Sequence, residues 1–324
     1  MWEYETLARD MRNQVFWHML KTRPAKYITS LISLESSRAL GFILAKPKDY
    51  RTTIRRGKLL ESYYVLMRIV DDVADGDLSL PAYSKDIVDF VNARIDFASS
   101  YHSENPRKHN NDIDNLMFYC FKLAEECGFS IEQENDDILR SLLFDSKRLV
   151  HTRTTGRNRI FPEVELRHHF YLLDIRGTIK GSLKIVVGED SEKYPLLEPL
   201  GEATRIYYNL KDLREDLRTG LINISVEDCK KHGIPIPLLE AHHDLESMLA
   251  YNSLTKSIKR WEFEQAERGL SLIRDHQMIM RKNDFKLFTR IALKTGYEIP
   301  VERYFRRVLK KEKKMRQPGF EPGL

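Results

Sequence analysis

Two short acidic clusters are the residues of this chain whose type and spacing suggest chemistry. Asp71 and Asp75 stand four residues apart with Asp72 beside them, and Asp212 and Asp216 repeat that spacing downstream. On a helix, residues four apart lie on the same face, where like charges cost roughly a few tenths of a kcal/mol per pair. The pattern therefore predicts a compensating divalent cation. Two such clusters facing each other across a cavity would hold several Mg²⁺ ions, and the ions would hold a diphosphate.

The sequence before the first cluster places it inside or at the rim of a core. The run that leads to Asp71 is largely apolar and includes Leu60, Leu66 and Val70. Buried carboxylates are costly unless they are paired or bound to a metal. Oxygen ligands favour hard ions, and Mg²⁺ uses one or two carboxylates together with phosphate and water. A surface ion-pair network is the alternative at each cluster, and two clusters with apolar neighbours favour the metal.

Length and composition restrict the class of protein. The 324 residues, 42% of them hydrophobic, suffice for a large core. No apolar run approaches the roughly 20 residues that cross a bilayer, and the acidic start Met1-Trp-Glu lacks a signal-peptide pattern. We therefore expect a cytoplasmic protein. Its cysteines, Cys120, Cys127 and Cys229, give neither a disulfide framework nor zinc spacing.

The net charge of +5 is modest, and its basic excess gathers near the end of the chain. The residues concerned are Arg303, Arg306, Arg307, Lys310, Lys311, Lys313, Lys314 and Arg316. Such a segment contacts anionic lipid or is a solvated final helix. We expect no nucleic-acid partner and, at most, peripheral membrane contact through this helix. Residues 317–324 are predicted to be a disordered tail.

Helical periodicity dominates the chain and predicts one all-α domain over residues 1–316. The predicted helices are 3–21, 35–45, 48–75, 82–100, 111–127, 132–152, 162–188, 194–218, 236–252, 254–281, 284–296 and 300–315. Both acidic clusters fall at helix ends, near Gly76 and Gly220. Acidic groups there oppose the helix dipole, which again indicates a cation.

These residues resemble two motifs of the squalene and phytoene synthases. The first is Tyr-x-x-x-Arg-x-x-Asp-Asp-x-x-Asp, here Tyr64, Arg68, Asp71, Asp72 and Asp75. The second is Lys-Asp-x-x-Glu-Asp, here Lys211, Asp212, Glu215 and Asp216, and about 140 residues separate the two, as in the family. Weaker similarities are carried by Ser36, Ser37, Arg38, by Leu143-Phe-Asp145, and by the segment from Tyr171 to Gly177.

The resemblance implies the fold of the class I terpenoid synthases, a single-domain helical bundle around a central cavity. It also implies two or three Mg²⁺ ions, with Asp71, Asp72, Asp75, Asp212 and Asp216 as metal ligands. Arg68 and Lys211 would hold diphosphate oxygens, and Tyr64 would lie near the leaving group. The further substrate-binding residues carried over are Ser36, Ser37, Arg38, Tyr171 and Glu215.

The implied reaction joins two prenyl diphosphates, farnesyl or geranylgeranyl, head to head. Metal-assisted ionisation would give an allyl cation, and an apolar pocket would keep that cation from water. A class I terpene cyclase that ionises one diphosphate is the alternative, and a non-catalytic relative of the fold is the second. A nicotinamide cofactor such as NADPH has no support, because the glycine-rich fingerprint of such sites is missing.

The sequence departs from the family pattern at two places that bear on the site. The family has an asparagine four residues before the first aspartate of the second motif, where this chain has Tyr208 and then Asn209. One residue turns a side chain by about 100° on a helix, so we expect an altered metal site. Arg176 and Lys180 replace small family residues, and they would shorten a pocket or hold another anion.

Overall fold

The computed structural model describes residues 2–24, 28, 50–102, 111–188, 190–241 and 252–315, and these are helical with no β-strand. The helices are Trp2–Thr22 (α1), Tyr50–Asp75 (α2), Ile87–Ser99 (α3), Asp112–Glu126 (α4), Glu132–Thr155 (α5), Glu163–Phe170 (α6), Glu198–Thr219 (α7), Val226–His232 (α8), Ile236–Glu240 (α9), Asn252–Lys282 (α10), Leu287–Leu293 (α11) and Ile299–Met315 (α12). The predicted all-α class is confirmed. Within these ranges no helix is long and apolar enough to cross a membrane.

Local sequence explains where the two motif-bearing helices end. Gly76 follows α2 with a φ of 85°, and Gly220 follows α7 with a φ of 89°. Glycine adopts this left-handed conformation without the cost that a side chain adds. The Gly220 N–H also donates to the Asp216 carbonyl at 3.0 Å. The prediction that both acidic motifs lie at the C-terminal ends of helices is confirmed.

Two compact units make up the chain, and the first comprises Met1–Ser146 and Lys180–Ser191. Helix α2 is central to this unit, since it packs against α1, α3, α4 and the segment Leu183–Val187. The core side chains include Leu59, Leu66 and Leu116, all fully buried. Burying a leucine side chain contributes roughly 1.5–3 kcal/mol, so α2 is held firmly along the face opposite its exposed charges.

The second unit comprises Lys147–Ile179 and Glu192–Leu324. Helix α7 is central here, because it packs against α10, α12 and the segment Tyr171–Ile179. Gly201 permits the close approach of α7 to the segment Tyr171–Ile179. A Cβ atom at that position would lie 1.7 Å from Ile175 Cδ1, an impossible distance. The apolar seam of α7 includes Leu200 and Ala203, both fully buried.

The predicted helix 162–188 is only partly right. Helix α6 is followed by π-helical segments at Tyr171–Ile179 and Leu183–Val187, with one α-helical turn, Lys180–Ser182, between them. An apolar repeat does not distinguish a π-helix from an α-helix in so short a run. The short helix α8 was not predicted, and it is capped by Ser225, whose Oγ accepts from Asp228 N at 3.0 Å.

The predicted helix 236–252 is observed as Ile236–Glu240, with residues 242–251 outside the described part, and the predicted helix 284–296 is observed as α11 followed by a π-helical segment at Lys294–Glu298. The remaining differences are near helix ends. Helix α3 begins at Ile87, five residues after its predicted start, because Asp86 caps it and accepts from Asp89 N at 2.8 Å. Residues 191–197 form a 3₁₀ turn ahead of α7. The predicted helix 35–45 and the tail 317–324 lie outside the described residues. The basic side chains Arg303, Arg307 and Lys310 of α12 are exposed.

Candidate active-site residues on two helices

The first motif is organised by one arginine. Arg68 is buried and donates from Nη1 to Asp71 Oδ2 at 2.7 Å. It also donates to both carboxylate oxygens of Asp72, from Nε to Oδ2 at 3.0 Å and from Nη2 to Oδ1. Such bidentate pairs are directional as well as strong. Arg68 thus forms an ion-pair network with the aspartates three and four residues further along, on one face of α2.

The aspartates of this motif differ sharply in exposure. The side chain of Asp72 is 3% exposed, whereas that of Asp71 is 37% exposed. A second arginine supports Asp72, since Arg23 lies 4.0 Å from its Oδ1 and also pairs with Asp77. Asp72 is thus enclosed by cations of its own unit, while Asp71 and Asp75 reach the surface.

Asp75, the last aspartate of the first motif, is exposed to solvent. Partial desolvation, followed by the charges of Asp71, Asp145 and Asp77, raises the pKa of Asp75 to about 8. Asp145 is the mid-chain aspartate that the sequence only weakly indicated, and the fold brings its charge to the motif. A carboxyl group with so high a pKa is one that a divalent cation would stabilise in its ionised form.

In the second motif, Asp216 is held by an asparagine. Asn223 donates from Nδ2 to Asp216 Oδ2 at 3.0 Å and accepts from Arg148 Nη1 at 3.0 Å. The Nη2 of Arg148 binds the carbonyl of Ile222 at 2.6 Å, which fixes the loop after α7. Burial and the charge of Asp212 raise the pKa of Asp216 to about 7, against the hydrogen bond from Asn223.

The remaining charged residues of the second motif lie on the surface of α7. The ammonium of Lys211 lies over the rings of Tyr207 and Tyr208, 5.7 and 5.6 Å from their centroids. Glu215 pairs with Arg218, and both side chains are largely exposed. The substrate-binding roles expected for Lys211 and Glu215 stay predictions.

Asn209 follows Tyr208, which occupies the position where the family pattern has an asparagine. Helix α7 runs without a break from Glu198 to Thr219, and Asn209 precedes Asp212 by three residues and Asp216 by seven. These spacings recur on one helix face. Asn209 is therefore on the face of the aspartates without a distortion of the helix, whereas Tyr208 is 41% exposed.

The other predicted substrate contacts are distributed along both units. Tyr64 lies in the first unit with its ring 6.4 Å from that of Phe16. Tyr171 lies in the second unit, where burial raises its pKa. Ser36, Ser37 and Arg38 lie outside the described residues.

Lys180, one of the two basic residues that depart from the family pattern, has its partner inside the protein. Lys180 Nζ is 3.0 Å from Glu134 Oε1, and Lys184 Nζ is 2.8 Å from the same oxygen. Glu134 is fully buried, so two cations compensate one buried carboxylate. The expected anion near Lys180 is thus a side chain of the first unit.

An ion pair that the sequence did not indicate lies beside the second motif. Arg205 donates from Nε and Nη2 to the two oxygens of Asp174, at 2.7 and 2.9 Å. The arginine also stacks on Phe170, with 4.8 Å between guanidinium and ring centroid. Asp174 stands in the segment that resembles the family, but nothing in its spacing identifies a partner 31 residues away.

The donor chemistry of both motifs fits Mg²⁺ completed by a phosphate ligand. Within the described ranges, no three His, Cys, Asp or Glu side chains form a group able to hold a metal ion. Each helix end instead offers a carboxylate pair, Asp71 with Asp75 and Asp212 with Asp216. Since Mg²⁺ commonly takes one or two carboxylates with substrate phosphates and water, a pair is a sufficient protein contribution.

No protein-family model matches this chain, and no curated protein matches it. One solved structure to which it is similar is a dehydrosqualene synthase in complex with ligand. The two sequences are 12% identical, the match covers 95% of this chain and 98% of that chain, and the TM-score is 0.44. A likeness at this level does not assign the chain to a family.

Proposed function

We propose that the protein is a Mg²⁺-dependent prenyltransferase that joins two prenyl diphosphates, farnesyl or geranylgeranyl, head to head. The supporting features are the two complete aspartate motifs and their place at the C-terminal ends of α2 and α7. The single observation that carries the proposal is that α2 and α7 each bear, in their last two turns, a pair of aspartates four residues apart, Asp71 with Asp75 and Asp212 with Asp216. The pKa of Asp75, raised to about 8, and that of Asp216, raised to about 7, agree with a cationic ligand at each pair.

The proposal gives each residue of the first motif a distinct task. Asp71 and Asp75 would hold the metal, because they reach the surface. Asp72 would position Arg68, since both of its oxygens already accept from that guanidinium. Arg68 would set the direction of Asp71 through its second hydrogen bond. The metal-ligand role that the resemblance implied for Asp72 is therefore replaced here by a positioning role.

In the second motif, Asp212 and Asp216 would hold the metal, and Asn223 would orient the Asp216 carboxylate. Lys211 would supply positive charge toward a diphosphate oxygen, as ammonium groups do in phosphate sites. When bound, Mg²⁺ supplies Lewis-acid stabilisation of the diphosphate leaving group. No nucleophilic side chain is needed, because the second substrate's double bond provides the electrons.

The experiment is incubation with farnesyl or geranylgeranyl diphosphate, with and without Mg²⁺, followed by diphosphate release and product mass. A C30 or C40 hydrocarbon supports the proposal. A C15 or C20 product would instead indicate a class I terpene cyclase, and the absence of any metal-dependent diphosphate release would indicate a non-catalytic relative. Asp216→Asn should abolish release, while Asp10→Asn, at an exposed position on α1, should leave it unchanged.

A further inference from the structure

A cavity within the second unit lies between α6, α7, α10 and the segment after α6. Its volume is about 100 Å³, and its lining includes Phe170, Asp174, Arg205, Asn209, Asn223 and Trp261. A single water needs roughly 10–15 Å³ measured in this way. The cavity therefore has room for a ligand of several heavy atoms. Its lining includes Tyr171, one of the expected substrate-binding residues, but neither Asp212 nor Asp216.

Two side chains of this cavity carry buried polar atoms without a partner among the described residues. They are Asn209 Oδ1, which lacks a donor, and Trp261 Nε1, which lacks an acceptor. Asn209 is 8% exposed and Trp261 is 2% exposed. A buried polar group left unsatisfied costs about 1–3 kcal/mol. Both side chains line one cavity, so a group inside it is the simplest source of the two missing partners.

Five of the eight charged residues that line the cavity are paired with one another, and two more, Arg167 and Glu198, are exposed to solvent. Arg205 binds Asp174 through two hydrogen bonds. Arg268 pairs with Glu202 and lies 3.8 Å from Glu163. A ligand without net charge therefore suits the paired part of this lining.

Apolar side chains complete the lining of the cavity. They are Leu166, Phe170, Ile175, Ile206 and Leu210. An apolar wall with a few placed polar atoms is the usual composition of a small-molecule pocket. The ligand that matches this wall is a largely apolar and uncharged molecule.

We propose that this cavity binds a small, otherwise apolar alcohol. A hydroxyl group supplies one donor and one acceptor, so its O–H would donate to Asn209 Oδ1 and its oxygen would accept from Trp261 Nε1. A hydrocarbon leaves both atoms unsatisfied, and an alkylammonium supplies donors only. The inference goes beyond the proposed function and does not depend on it, because neither a metal nor a diphosphate takes part.

Asn223 gives the cavity a connection with the acidic motif of the same unit. It contributes to the lining and also donates to Asp216 at 3.0 Å. An alcohol bound there would therefore lie next to the residues that hold the second motif in place.

The test uses the indole N–H signals of the full-length protein in a ¹H–¹⁵N correlation spectrum. The chain has three tryptophans, so three such signals are expected, and Trp261→Phe identifies the one of interest. The probe is 3-methyl-2-buten-1-ol, and its matched comparators are 2-methyl-2-butene and 3-methyl-2-butenylamine. We expect the alcohol to move the Trp261 signal saturably, and the signal of Trp17, which is 60% exposed, to stay in place.

Variants identify the hydrogen-bonding atoms. Asn209→Leu should weaken binding of the alcohol roughly tenfold, the loss expected for one hydrogen bond, while Trp17→Phe should leave it unchanged. If Asn209→Leu does not fold, Trp261→Phe, followed through the ligand's own signals, should show a similar loss. Equal shifts with the hydrocarbon or the amine, no saturable shift, or unchanged affinity in a folded cavity variant would overturn the proposal.

Discussion

Asn223 Nδ2 donates a 3.0 Å hydrogen bond to Asp216 Oδ2, and this contact links the last aspartate of the second motif to the loop beyond α7. The same amide accepts from Arg148, a buried residue 75 positions earlier. The geometry of Asp216 therefore depends on residues outside the motif. The spacing of the motif alone indicates neither Asn223 nor Arg148.

The first prediction concerns that hydrogen bond. Asn223→Leu should raise the pKa of Asp216 further above about 7, because the bond from Asn223 favours the ionised carboxylate. Titration of ¹³C-labelled aspartate side chains by NMR measures this shift. Asn13→Leu, at an exposed position on α1, is the control and should leave the Asp216 titration unchanged. A lower Asp216 pKa in Asn223→Leu would contradict the assigned contact.

The second prediction concerns stability and pH. The folded-state pKa of Asp75 is raised from 3.8 to about 8, so between these values the folded chain keeps a proton that the unfolded chain loses. Unfolding is then progressively favoured as the pH rises through that window. Asp75→Asn should remove this penalty and raise the melting temperature more at about pH 9 than at about pH 5. An equal effect at both pH values would show that Asp75 does not titrate as described.

The third prediction concerns proton release on metal binding. With pKa values of about 8 and about 7, Asp75 and Asp216 are partly protonated at neutral pH. Because Mg²⁺ requires the ionised carboxylates, its binding with diphosphate should release protons and should strengthen as the pH rises from about 6 to about 9. Calorimetry in buffers of different ionisation enthalpy measures the release. Binding that is independent of pH would argue against these two ligands.

The fourth prediction concerns the buried ion pair beside the cavity. Arg205→Leu leaves the carboxylate of Asp174 buried without its partner, which should cost about 3–5 kcal/mol of unfolding free energy. Asp174→Leu combined with Arg205→Leu should recover most of that loss. Urea denaturation measures both. Arg218→Ala, which breaks the exposed pair with Glu215, is the matched control and should change stability little.

Much of the architecture could be predicted from periodicity and glycine positions. The end of α2 before Gly76 and the end of α7 before Gly220 follow from local sequence, and these ends locate the acidic motifs. The π-helical turns at Tyr171–Ile179 were not predictable, because a short apolar run does not report the number of residues per turn. The contacts of Arg68 with Asp71 and Asp72, three and four residues further along α2, were not predicted, because we expected Arg68 to hold diphosphate oxygens.

Contacts between distant parts of the chain could not be predicted in the same way. The pairing of Arg205 with Asp174, the approach of Asp145 to Asp75 and the partners of Lys180 depend on which helices pack together. Helix packing is set by many weak apolar contacts, and no single residue of the sequence indicates which helices will pack together. Likewise, the sequence does not show that the amide oxygen of Asn209 lacks a donor among the described residues, because this depends on which helices pack around it.

The central claim is that both acidic motifs take part in holding magnesium around a diphosphate. The most direct measurement is a titration of the chain with Mg²⁺ in the presence and absence of inorganic diphosphate, with bound metal counted at each point. We predict uptake of two or three ions only when diphosphate is present, and loss of that uptake in Asp75→Asn as well as in Asp216→Asn. Mg²⁺ uptake that does not depend on diphosphate would contradict the claim. So would full Mg²⁺ uptake by either folded variant.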